Sequence, residues 1–71
     1  MAKLDLDNIY TYHEPHGDQM LRYARIRSKC KELAKLLEEC CPDSRERSVA
    51  LSKVQETCMW GNAAIAINEK G

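Results

Sequence analysis

The fold is decided by the stretch ECCPDSRE, residues 39–46, which lies between two long amphipathic segments. Pro42 disfavours helical backbone at the residue before it, so a preceding helix ends there. Asp43 followed three residues later by Glu46 fits a capping box, and Ser44 is the alternative N-cap of a second helix. A turn this short forces the two helices to lie antiparallel. The sequence therefore predicts an all-α fold built on a two-helix hairpin.

The segment before the turn predicts a helix over residues 18–41, with Asp18 as its N-cap. Apolar side chains recur at spacings of three and four, the pattern of an amphipathic helix, and Ala34 and Cys41 widen the stripe. The stripe consists of Tyr23, Ile26, Cys30, Leu33, Leu37 and Cys40.

The segment after the turn predicts a helix over residues 44–68. Its heptad positions are Leu51, Val54, Cys58, Gly61 and Ile65. Further residues broaden the apolar surface: Ala50, Trp60, Ala63, Ala64 and Ile67. Because residues 61–66 are nearly all small, another helix can approach this one closely on more than one face.

Residues 1–17 form an N-terminal arm that holds both histidines, with a proline and a glycine that exclude a continuous helix. We expect an extended, irregular or short helical arm, with a strand or turn around residues 9–12. The chain, residues 1–71, is expected to be a single domain.

The length of 71 residues makes self-association an expected source of stability. For a chain of this size the free energy of apolar burial and the entropy of ordering nearly cancel. The sequence lacks the apolar run of a signal peptide or a membrane span, which favours a cytosolic location. Cytosolic thiols stay reduced, so the four cysteines are not expected to form disulfides. A homo-oligomer remains as the means of stabilisation.

The charges balance overall but are unevenly distributed. The formal net charge is zero, which argues against binding of long nucleic acid. Residues 1–19 carry one base against four acids, whereas residues 20–41 carry six bases against three acids. At 100° per residue the bases follow the two edges of the apolar stripe: Arg22, Arg25 and Lys29 on one, and Arg27, Lys31 and Lys35 on the other. These edges are suited to hold a small anion, although bases there also serve simply to cover the core edge.

Two tyrosines in the polar arm favour the ligand-binding interpretation. An aromatic ring in such a segment can stack on a nucleobase while its hydroxyl stays in water. We expect Tyr10 to pack back on the hairpin, which leaves Tyr12 for stacking.

Other chemistries are poorly supported by the sequence. His13 and His16 with the adjacent Cys40 and Cys41 could form a zinc site, but the two thiols lack the spacing of structural zinc ligands. No glycine-rich turn presents a nucleophile, and the carboxylates are scattered along exposed faces. We expect no catalytic residues, no metal and no cofactor.

Two stretches resemble a known family. The run from Cys41 to Lys53, continuing from Met59 to Ala66, resembles the small phage proteins that act as cyclic-oligonucleotide sponges against CBASS, the anti-phage signalling system of bacteria. The arm from Tyr12 to Pro15, with Gln19 and the Tyr23 region, is similar to the N-terminal half of the same family.

The resemblance implies a helical homohexamer in the host bacterial cytoplasm that binds cyclic dinucleotides, and in many members cyclic trinucleotides, without cleaving them. It places the stacking tyrosine at Tyr12 and the basic clamp at Arg27, with His13 and Lys29 as neighbours. One departure concerns the trinucleotide site, because Ile67 stands where relatives often carry arginine.

Two alternatives remain open. A non-enzymatic hairpin that binds or inhibits a host protein is the alternative to a sponge. Arg47 is expected to be structural, paired with Glu46, Glu39 or Asp43 around the turn, although a phosphate contact is physically possible.

Overall fold

The computed structural model describes residues 6–10 and 14–69 of the chain. They form three helices, α1 (Leu6–Ile9), α2 (Gln19–Cys40) and α3 (Arg45–Asn68), and the described part contains no strand. The last two pack against each other as an antiparallel hairpin. The all-α hairpin that the sequence predicts is therefore confirmed.

The turn between α2 and α3 follows from Pro42 and Ser44. Cys41, which precedes the proline, has extended backbone (φ −106°, ψ 137°), and its N–H donates to the carbonyl of Leu37 at 2.9 Å. Ser44 is the N-cap of α3, because its Oγ accepts a hydrogen bond from the backbone N–H of Arg47 at 3.1 Å. The capping box that begins at Asp43 is therefore wrong, and the alternative cap is the one that forms.

The start of α2 is shaped by Gly17 and Asp18. Gly17 has φ +60°, a left-handed conformation that glycine adopts without strain. Asp18 occupies the N-cap position, but its side chain makes no capping hydrogen bond. Its Oδ1 instead accepts from Nε of Arg22 at 3.0 Å, one helical turn further on. Asp18 thus caps by position and backbone, while its carboxylate orients an arginine.

The face of α2 that meets α3 differs from the predicted stripe near the turn. Leu33 is 46% exposed and Cys40 is also exposed, whereas Ala34 and Cys41 are half-buried. A stripe with strict heptad spacing drifts across the surface of a straight helix, because 3.5 residues fall short of a full turn. Leu33 and Cys40 are therefore wrongly predicted as core residues.

Both sides of α3 carry apolar residues. The five predicted heptad positions from Leu51 to Ile65 are all half-buried, as the spacing predicts. Other large side chains of α3 remain in solvent, with exposed fractions of 42% for Val49, 61% for Met59 and 71% for Trp60. A single hairpin therefore covers only one of the two apolar sides of α3.

No hydrophobic side chain is buried in the described part of the chain, where the buried residue is the polar Gln19. The radius of gyration is 15.0 Å, against about 11 Å for a compact chain of this length. The hairpin of the described residues is elongated and lacks a closed core.

The described part of the arm contains one helical turn, α1, which attaches to the end of the hairpin opposite the turn. Nδ2 of Asn8 donates to the carbonyl oxygen of Ile67 at 2.7 Å. Tyr10 is 84% exposed, so the expectation that it packs back on the hairpin is wrong. Its backbone N–H ends the turn of α1 by donating to the carbonyl of Leu6 at 3.0 Å.

Candidate functional site

Two basic depressions flank α2, one on each edge of its apolar stripe. The first has a volume of about 450 Å³ and lies along α3, between the basic edge of α2 and Ile65. It is lined by Arg22, Arg25, Ile26, Lys29, Cys30 and Ile65, and is called the α2/α3 groove below. The second has a volume of about 480 Å³ and is lined by Ala24, Arg27, Ser28 and Lys31. The helical spacing that divides the bases between two edges therefore divides them between two depressions.

The predicted site residues fall partly inside the described structure. Arg27 and Lys29 are both exposed on α2, but in one chain they line different depressions. Tyr12 and His13 lie outside the described residues. A ligand that contacts both Arg27 and Lys29 would therefore have to reach around α2 or engage two protomers.

The cations of the α2/α3 groove differ in how they are paired. Nζ of Lys29 lies 3.2 Å from Oε2 of Glu32, an exposed pair within α2 that contributes little to stability. Arg22 contacts two carboxylates, those of Asp18 and Glu69. Arg25 forms no ion pair with any residue that the structure describes. The groove thus combines apolar walls with a guanidinium available to an anion.

The end of the groove is closed by a network that joins the start of α2 to the end of α3. Nη1 of Arg22 donates to Oε2 of Glu69 at 2.7 Å, Nη2 donates to Oε1, and Nε2 of Gln19 donates to Oε1 at 3.1 Å. The hydrogen bonds from Arg22 and then Gln19 lower the pKa of Glu69 to about 2. The same bonds with Glu69 raise the pKa of Arg22. The pair is therefore ionised throughout the physiological range.

Arg27 has different surroundings on the other edge of α2. Neither Arg27 nor Lys31 forms an ion pair with a residue that the structure describes, and both are exposed. The planar guanidinium of Arg27 is available for stacking on a base or for paired hydrogen bonds to a phosphate.

Three of the four cysteines are half-buried and Cys40 is exposed. All four are free thiols, and Cys30 on α2 neighbours Cys58 on α3. Burial, together with Cys58, raises the pKa of the Cys30 thiol. In the described part of the chain no group of three or more potential ligands could hold a metal ion, and His13 lies outside it.

Sequence reasoning missed the roles of Gln19 and Glu69. The two residues are 50 positions apart, and the family resemblance that includes Gln19 does not extend to Glu69. A polar residue at the start of a helix and an acid at the end of another are ordinary surface features in a sequence. Only the antiparallel pairing of the helices brings them together.

The family model of the Acb2/Tad1 hairpin domain matches residues 2–66. This is the family of anti-CBASS cyclic-oligonucleotide sponges, and the match confirms the resemblance seen in the sequence. Neither the curated proteins nor the solved structures contain a match to the chain.

Proposed function

Because this chain belongs to the Acb2/Tad1 hairpin family, we propose that it binds cyclic dinucleotides and sequesters them without cleaving them, so that CBASS signalling fails. The family match over residues 2–66 carries the proposal. Arg25 and Arg27 on α2, which form no ion pair with a described residue, support it, because they supply the cations that a cyclic oligonucleotide requires.

The ligand dictates what the pocket must provide. A cyclic dinucleotide carries two negative phosphates and two flat bases, so the pocket needs cations for the phosphates and planar groups for the bases. In the proposed site Arg27 supplies a planar cation and Tyr12 supplies the aromatic ring, with His13 and Lys29 as neighbours. Two protomers related by a two-fold axis would present each group twice and match the approximate symmetry of the ligand.

Cyclic trinucleotides are proposed to bind weakly or not at all. Ile67 is half-buried, and its carbonyl oxygen accepts a hydrogen bond from Asn8. An isoleucine there provides no charge for a phosphate. The adjacent Asn68 donates its side-chain amide to the carbonyl of Ala64 at 3.0 Å. Neither Ile67 nor Asn68 therefore offers a charge to an additional phosphate.

We further propose that the binding form is a homohexamer in the host bacterial cytoplasm. The apolar side chains that the hairpin leaves in solvent, above all Met20, Leu21, Met59 and Trp60, support assembly. No helix in the described part of the chain is long and apolar enough to cross a membrane.

Titration calorimetry against a panel of cyclic dinucleotides and trinucleotides tests the proposal. We expect tight binding of at least one cyclic dinucleotide, and recovery of the intact ligand by chromatography after the protein is heat-denatured. Recovery of linear products instead would identify a nuclease. Failure to bind any member of the panel would contradict the sponge function.

A hairpin that binds or inhibits a host protein is the second candidate, and the exposed apolar side of α3 around Trp60 is the observation that favours it. The two candidates differ in a measurable way. A protein-binding hairpin would suppress a host effector in a reconstituted assay even when the cyclic nucleotide is in large excess, whereas a sponge would be saturated.

A further inference from the structure

Gln19 is the buried residue in the described part of the chain, and both polar atoms of its side chain are hydrogen-bonded. Gln19 is 3% exposed. Its Oε1 accepts a hydrogen bond from the backbone N–H of His16 at 3.2 Å, which fixes the orientation of the amide. Its Nε2 then donates to Oε1 of Glu69 at 3.1 Å. Burying an amide is unfavourable unless it is hydrogen-bonded. In this orientation Nε2 of Gln19 therefore donates to a negatively charged group.

Arg22 completes the set of donors. Its Nη1 and Nη2 both donate to the carboxylate of Glu69, while its Nε donates to Asp18, which holds the guanidinium plane in place. Three N–H donors from the first turn of α2 therefore converge on one carboxylate. We call this set of donors, Gln19 Nε2 and Arg22 Nη1 and Nη2, the anion cradle.

Glu69, whose carboxylate occupies the cradle, is held less firmly than the donors that bind it. Glu69 follows the last residue of α3, Asn68, and has extended backbone (φ −93°, ψ 111°). Its side chain can leave the cradle without unwinding the helix. The donors, by contrast, lie within α2 and stay in place when Glu69 leaves.

The cradle also opens onto the α2/α3 groove, because Arg22 lines both. In the groove Arg25 forms no ion pair with a described residue, and it follows Arg22 by three positions on the same edge of α2. A tetrahedral phosphate presents three oxygens to the three donors of the cradle. A second, linked phosphate would then reach Arg25. A single small anion would gain only what Glu69 already provides.

We propose that the anion cradle is a phosphate-binding site in which Glu69 acts as an internal competitor, displaced only by ligands with two linked phosphates that contact both Arg22 and Arg25. This inference goes beyond the proposed function, because it requires neither base stacking nor Tyr12. It makes Glu69 a residue that sets the affinity a ligand needs, since a single phosphate that contacts only the cradle gains too little to displace its carboxylate.

The test compares Glu69→Gln with the unmodified protein, using inorganic pyrophosphate and inorganic phosphate as probes in titration calorimetry. Removing the charge of the competitor should tighten pyrophosphate binding by about five- to tenfold. It should also raise the affinity for phosphate by a similar factor, since either ligand must displace Glu69 to enter the cradle. Glu56→Gln is the matched control, because it removes one carboxylate from an exposed pair with Lys53 that does not line the groove.

Equal affinities in Glu69→Gln and Glu56→Gln would overturn the proposal and leave Glu69 as a purely structural tie. So would failure of the unmodified protein to bind pyrophosphate. A second measurement avoids dependence on a variant: in ¹H–¹⁵N spectra of the unmodified protein, pyrophosphate should shift the side-chain amide signals of Gln19, whereas phosphate should not. Unchanged Gln19 signals at saturating pyrophosphate would contradict displacement of Glu69. Neither readout involves a cyclic dinucleotide, so the inference and the proposed function can fail separately.

Discussion

At the scale of single residues, Arg27 and Tyr12 carry the proposed recognition of the ligand. Arg27 is exposed beside Lys31 and is not engaged by any carboxylate in the described part of the chain. Other bases of α2, such as Arg22 and Lys29, pair with carboxylates, so Arg27 is the better suited to bind an external anion. The stacking partner, Tyr12, lies outside the described residues, so its role rests on the family resemblance.

Tyr12→Ala should lower the affinity for a cyclic dinucleotide by about 30-fold to more than 10⁴-fold, because two stacked bases contribute about 1–3 kcal/mol each. Arg27→Ala should weaken binding strongly. Arg27→Lys should give an intermediate loss, since lysine keeps the charge but loses the plane. Titration calorimetry measures all three variants.

Lys35→Ala is the control for these variants, because it removes an exposed base of α2 that lines neither depression. It should bind like the unmodified protein. Unchanged affinity in Tyr12→Ala would refute the stacking role, and equal losses in Lys35→Ala and Arg27→Ala would reduce the site to general positive charge.

Gly61 gives a prediction about stability. A Cβ atom there would lie 3.8 Å from Cγ2 of Ile26, an ordinary van der Waals contact, so the hairpin itself has room for alanine. Because glycine is a poor helix former, Gly61→Ala should raise the free energy of unfolding by about 0.5–1 kcal/mol, measured by chemical denaturation. A loss of stability would show instead that a helix of another protomer packs against this glycine.

At the scale of the helices, the turn and the open end of the hairpin are held by different interactions. At the turn, Nη2 of Arg47 lies 3.2 Å from Oδ1 of Asp43, and Nη1 donates to the carbonyl of Cys41 at 3.4 Å. Pairing with Asp43 was one of the alternatives that the sequence offered, and the structure confirms it. At the open end, Arg22 and Gln19 of α2 hold Glu69 beyond α3.

Arg47→Ala should lower thermal stability more than ligand affinity, since the guanidinium bridges both sides of the turn. The melting temperature and the ligand affinity are measured on the same preparation, by thermal denaturation and titration calorimetry. Arg45→Ala, which removes an exposed arginine that forms no ion pair with a described residue, should change neither. A larger loss of affinity than of stability in Arg47→Ala would place this arginine in the ligand site.

The open end predicts a defined pH dependence of stability. The pKa of Glu69 is lowered to about 2 in the folded state, from 4.5, so the unfolded chain binds this proton more readily. The stabilisation by Glu69 is therefore fully present above about pH 4.5 and is lost as the pH falls towards 2. The melting temperature of Glu69→Gln should lie below that of the unmodified protein at pH 6, and the two melting temperatures should converge near pH 2. A difference that persists at pH 2 would contradict the role of the ionised pair.

At the scale of the whole molecule, the hairpin is an incomplete unit. No hydrophobic side chain of the described residues is buried, yet Trp60 and Met59 are 71% and 61% exposed on the side of α3 that faces away from α2. Apolar side chains left in solvent on one side of a helix mark a surface that another chain covers. In the proposed oligomer, these side chains would supply the core that one chain lacks.

Sedimentation velocity at micromolar concentration should show an oligomer, with a mass near six chains if the proposed hexamer is right. Trp60 is the single tryptophan, so its fluorescence should shift to shorter wavelengths as assembly buries it and return on dilution. Trp60→Ala should weaken assembly, whereas Gln55→Ala, at another exposed position of α3, should not. A monomer that unfolds cooperatively would contradict this architecture.

The sequence by itself determined the hairpin and the division of the bases, because both depend on local rules. Pro42 disfavours helical backbone at Cys41, Ser44 caps the next helix, and spacing along α2 places Arg25 and Arg27 on opposite edges. Tertiary structure decided which apolar residues face α3. A stripe with strict heptad spacing drifts across the surface of a straight helix, so Ala34 is half-buried while Leu33 is exposed. It also decided the anion cradle, because Gln19 and Glu69 meet only when antiparallel packing brings together residues 50 positions apart. No local pattern encodes that meeting, so it could not be predicted from the sequence.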